Sequence, residues 1–134
     1  MNPLIWGTPA WILLDCIALV YPENPTSEEK DNMKNYFLYT GKVLPCPNCR
    51  EHFAGHIKKH PLNDEVLSSR YNLVKWIVDM HNEVNVANKK QKLTYKQAET
   101  FLNKLSNGDI KFKLYDQTEF KVKTKKLKLK NKKK

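Results

Sequence analysis

Cysteine is scarce in this chain: three in 134 residues. That excludes a disulfide-dense secreted scaffold, and no cleavable signal peptide is visible. Long apolar runs are missing as well. The most apolar stretch, Trp11 to Tyr21, contains Asp15 and falls short of the roughly 20 residues that a membrane span needs. It reads as a buried helix. No strand pattern precedes Ile110, and there is no internal repeat. The fold class expected from residues 1–109 is therefore all-α. Charge is absent from most of the molecule in net terms. The chain carries +10, but from Ile110 onward eleven lysines face only Asp116 and Glu119, so residues 1–109 are close to neutral. The reading is one helical domain over 1–109 and a lysine-rich tail over 110–134, extended or disordered. The tail has no arginine and few aromatics. It could neutralise phosphates, but the folded part offers no basic face for nucleic acid beyond Lys89, Lys90, Lys92 and Lys96.

What is present is concentrated in Pro45-Cys46-Pro47-Asn48-Cys49. Pro47 suits the first turn of a helix, and nothing but Gly55 interrupts helix from Asn48 to Lys59. Cys46 then sits where free backbone N–H groups favour a thiolate. A Cys-x-x-Cys pair there is a redox disulfide or half of a metal site. Four other helices follow from their start and stop signals. Thr8-Pro9 predicts the opening of the first helix, which runs to about Tyr21. Thr26 with Glu29 forms a capping box for the second, with Gly41 as its stop. Ser68 or Ser69 opens the fourth, to about Val86, on an apolar stripe of Leu73, Trp76, Ile77 and Met80. Thr94 with Gln97 is a second capping box, for a short helix over Tyr95–Leu105 ended by Asn107-Gly108. On the fourth helix, His81, Asn85 and Asn88 share a face suited to a planar heterocycle.

The segments WGTPAW, CPNCREHF and HNEVN, in that order over Trp6 to Leu105, resemble the Erv/ALR family of FAD-linked sulfhydryl oxidases. The chain looks most like the short members encoded by large DNA viruses. The resemblance implies a four-helix bundle plus a short fifth helix, with FAD at one end of the bundle. It implies a disulfide-exchanging Cys46 and a flavin-proximal Cys49. Trp6, Gly7, Thr8 and Trp11 would line the cofactor from the first helix, and His81, Asn82, Val84 and Asn85 from the fourth, with Lys90 near the phosphates. Asp15 stands where many relatives carry a flavin-contacting His. Implied partners are protein thiols or a thioredoxin-like redox carrier, dioxygen as acceptor, and a second copy in a homodimer. Implied surroundings are the host cytoplasm, the site of virus assembly, or the virion. No membrane partner is expected. Cys16 is expected to be an inert core thiol.

A zinc-binding helical interaction module is the alternative, with Cys46, Cys49, His52 and His56 as ligands. Four ligands along one helix tie no separate elements together and are hard to arrange as a tetrahedron. The reading therefore assigns no metal, and takes His52, His56 and His60 as a solvated stripe. A thioredoxin-type fold needs strands that this sequence does not offer.

Overall fold

The computed structural model describes residues 1–110. The calls on the tail over 111–134 fall outside the described residues. Among those described, the elements are α1 (Pro3–Leu19), α2 (Ser27–Val43), α3 (Pro47–Lys59), a short 3₁₀ turn (Val66–Ser68), α4 (Arg70–Ala87) and α5 (Tyr95–Ser106). None is a strand. None is a helix long and apolar enough to cross a membrane.

Caps explain most boundaries. Thr26 accepts from the Glu29 N–H while the Glu29 carboxylate accepts from the Thr26 N–H, and Thr94 and Gln97 do the same for α5. Ser69 caps α4 by accepting from the Asn72 N–H. Each cap satisfies donors that the first helical turn leaves free.

Two expected boundaries are corrected. Helix α1 starts at Pro3 rather than after Thr8, with Asn2 as its cap, and Pro9 lies inside it. Both prolines suit a first helical position, and the earlier one is used because Asn2 caps it through the Leu4 N–H. Gly41 does not end α2, which continues to Val43. Gly41 is buried instead, and a Cβ there would overlap the Phe53 ring. The glycine serves close approach between α2 and α3.

One core joins α1, α2, the 3₁₀ turn and α4, built on Leu14, Ala18, Tyr21, Phe37, Leu67, Leu73, Trp76, Ile77 and Met80. Phe37 meets Trp76 edge-on, with ring centroids 5.3 Å apart. The Tyr21 hydroxyl donates to the Leu67 carbonyl at 2.7 Å. Helix α5 packs through Ala98 and Leu102 against Val78 of α4. Glu83, near the C-terminal end of α4, ties that helix to the end of α3: its carboxylate meets Lys59 at 2.7 Å and His60 at 3.0 Å. These hydrogen bonds pull the Glu83 carboxyl down to about 2. The Trp76 indole N–H donates to the His60 carbonyl at 2.9 Å. His60 is thus a structural joint rather than part of a solvated stripe.

Candidate active site

Helix α3 begins with the cysteine pair. Pro47 occupies the first turn, Cys46 is the N-cap, and its sulfur accepts from the Cys49 N–H at 3.2 Å. Cys46 and Cys49 are joined as a disulfide, with Cα atoms 5.1 Å apart. Arg50 reaches back to donate to the Leu44 carbonyl, which fixes the loop entering the helix. Any thiolate released at Cys46 faces the positive end of α3.

Beside the pair lies an open cleft of about 260 Å³ between α1, α3 and α4. Cys49 borders it and Cys46 does not, although both are half-buried. From α1 come Trp6, Gly7, Thr8 and Trp11. From α4 and its C-terminal turn come His81, Val84, Asn85, Asn88 and Lys90. Eight of the ten residues expected to line a cofactor therefore meet at one cleft, together with Cys49.

Two local features aim these groups. The Trp11 indole and the His81 imidazole stack with centroids 4.1 Å apart and planes 2° from parallel. Burial, and then the Lys90 charge, lower the His81 pKa, so the imidazole is held neutral. Lys89 has φ 57°, a left-handed conformation that reverses the chain after α4, and the Lys90 N–H donates back to the Asn85 carbonyl at 2.7 Å. This turn brings Lys90 to the rim of the cleft.

The other two expected residues lie elsewhere. Asp15 and Asn82 border a smaller cavity of about 150 Å³ between α1, α4 and α5, lined mostly by apolar groups such as Val78, Phe101 and Leu102. His81 is the residue common to both cavities. Asp15 is only 5% exposed, and burial raises its carboxyl to about 7. Asn82 grips the loop before α5: its amide donates to the Leu93 carbonyl and accepts from the Leu93 N–H, both at 2.9 Å.

The structure also brings in residues that the sequence reading set aside. His52, Phe53 and His56 border the cleft from α3, at three, four and seven residues after Cys49. That spacing puts His52 and His56 on the Cys49 face of the helix, the signal by which they could have been found. Among the described residues no cluster of three or more His, Cys, Asp or Glu side chains is placed to hold a metal ion. Of the ligands in the zinc alternative, the two sulfurs bond each other and the two histidines face the cleft.

The cleft has the chemistry that FAD requires. Two buried side-chain nitrogens, Trp6 Nε1 and His56 Nε2, have no hydrogen-bond partner, and both border it. Their unmet hydrogen-bonding capacity matches the polar edges of a planar heterocycle. Trp11 and His81 supply aromatic faces, Asn85 an amide, and Lys90 a cation for phosphate.

Comparison with known proteins agrees with this geometry. Residues 8–105 match the model of the Erv1 / Alr family. A probable FAD-linked sulfhydryl oxidase of Acanthamoeba polyphaga mimivirus is 49% identical over 98 residues, covering 73% of this chain and 68% of that protein. The mitochondrial FAD-linked sulfhydryl oxidase ERV1 of Saccharomyces cerevisiae is 33% identical over 86 residues, covering 64% of this chain and 44% of that protein. The crystal structure of the FAD binding domain of that yeast protein superposes with a TM-score of 0.69 at 28% identity, over 81% of this chain and 97% of the domain.

Proposed function

The chain belongs to the Erv1/Alr family, and from that premise we propose that Cys46 meets the thiol substrate while Cys49 serves the cofactor side. The activity is FAD-dependent thiol oxidation. The observation that supports the division of labour is that Cys49 borders the cleft and Cys46 does not.

The exchange proceeds at sulfur. A substrate thiolate attacks Cys46 Sγ, the bond to Cys49 breaks, and a mixed disulfide forms with Cys49 released as thiolate. A second substrate thiolate attacks the substrate sulfur of the mixed disulfide. The substrate leaves oxidised, and Cys46 leaves as a thiolate at the helix N-terminus, where the free N–H groups stabilise it. FAD, when bound, takes two electrons from the Cys46/Cys49 pair and gives them to dioxygen, so that two thiols and one dioxygen become one disulfide and one hydrogen peroxide. Trp6, Gly7, Thr8, Trp11, Val84 and Asn85 shape and line its site. The neutral His81 stacks without adding charge, and Lys90 balances phosphate. Asp15 and Asn82 support that wall from behind, one as a buried acid beneath His81 and one as the clamp on Leu93.

Substrates reach Cys46 directly or through a thioredoxin-like carrier, since no second cysteine pair is present in the sequence. Exposed Leu4 and Leu13 on α1, with Val20 at its C-cap, support a homodimer through the first helix. The similarity to a mimivirus protein supports a viral source; action in the host cytoplasm or the virion is part of the same proposal.

Single serine variants test the cysteine roles. Cys46→Ser and Cys49→Ser both lose turnover of a dithiol while retaining FAD. With the symmetrical disulfide of a monothiol as probe, the free thiol of Cys49→Ser exchanges at Cys46, releasing one thiol and leaving a mixed disulfide seen as an added mass, and Cys46→Ser forms far less adduct. Adducts with the reverse preference would exchange the two roles.

A further inference from the structure

His56 stands seven residues after Cys49, two turns along the same face of α3, and both border the cleft. Its Nε2 is buried without a partner. The described residues hold two such side-chain atoms, and both border this one cleft. A buried ring nitrogen left unpaired is unfavourable for the protein on its own. An unpaired polar atom on the wall of a ligand cleft makes sense when the ligand carries its hydrogen-bond partner. The nearby Glu83 carboxylate does not pair with it; Glu83 Oε1 is shared by Lys59 and His60. His56 is also kept uncharged. Burial lowers its pKa, His52, His60 and Lys59 push the same way, and Glu83 alone opposes them.

We propose that His56 is a cofactor-positioning residue whose Nε2–H donates to an acceptor atom of bound FAD, fixing the cofactor against the helix that carries Cys49. The inference rests on the reading that FAD occupies the cleft. The neutral imidazole has one N–H to give and brings no charge into the site.

The test uses the full chain stripped of flavin and titrated with FAD by fluorescence, with thermal unfolding measured with and without FAD. His56→Phe keeps a ring and removes the donor. It should bind FAD about tenfold more weakly or worse. Without FAD it should unfold at the wild-type temperature or higher, because an unpaired donor is gone, so the rise in Tm on adding FAD shrinks. His56→Gln, which restores an N–H, should recover most of the affinity. Wild-type affinity in His56→Phe overturns the proposal and leaves the FAD reading intact. So does a flavin-free His56→Phe that is itself destabilised, or a Gln variant as weak as Phe. Failure of the wild type to bind FAD overturns the parent reading and this one with it.

Discussion

Asp15 lies in a mostly apolar cavity, where burial lifts its carboxyl from 3.8 to about 7. The sign of its effect on stability follows from proton uptake. Below about pH 4 the folded and unfolded chains both hold the proton, and no charge is buried. Between about pH 4 and 7 the folded chain keeps a proton that the unfolded chain has lost, so stability falls as pH rises, by roughly 4 kcal/mol in all. Above the folded pKa the loss is complete. Asp15→Asn should therefore flatten the descent of Tm between pH 4 and 7 relative to wild type. Identical pH slopes in the two proteins would show that Asp15 is not held protonated. At this scale type and spacing marked His81 and Asn85, and the family resemblance marked Trp6 and Trp11; all four reach the cleft. It was uninformative where orientation is set by packing. Asp15 keeps the spacing expected of a cofactor contact but borders the cavity behind His81, and His56 was masked by the lysines and histidines around it.

Helix inventories are written locally, in caps and periodicity, and α2 to α5 therefore follow the sequence closely. Thr26, Ser69 and Thr94 each carry the bond that starts a helix. The expectations that gave way depended on partners far along the chain. Gly41 reads as a stop signal until Phe53 of α3 is known to press against it. Adding one methyl there forces the ring to move. Gly41→Ala should destabilise the fold by about 1–3 kcal/mol, as overpacking does, and lower Tm accordingly. An unchanged Tm would mean that α2 and α3 separate without cost. Because Phe53 also borders the cleft, the same contact sets the distance between α2 and the wall that carries Cys49.

The whole molecule joins an inner core to a cleft at one end. Helices α1 and α4, which supply most of the cofactor wall, also supply much of the core. The cleft is thus positioned by the same packing that stabilises the chain. Which faces would meet there was not legible from any one helix, since it depends on how α1, α3 and α4 are set against each other. The family resemblance supplied that arrangement where periodicity could not. The domain boundary yields its own test. Removing residues 111–134, which carry much of the net charge, should leave FAD binding and oxidation of a small dithiol unchanged. A marked fall in either would place part of the tail within the functional unit.

The most direct test of the oxidase is the visible spectrum of the purified full chain, supplied with FAD and followed as excess dithiol is added without oxygen and air is then admitted. The flavin band should bleach on adding dithiol and return in air as hydrogen peroxide appears, once the dithiol is consumed. A protein that binds no flavin, or whose bound flavin keeps its colour in dithiol, would contradict electron transfer from the Cys46–Cys49 pair to FAD.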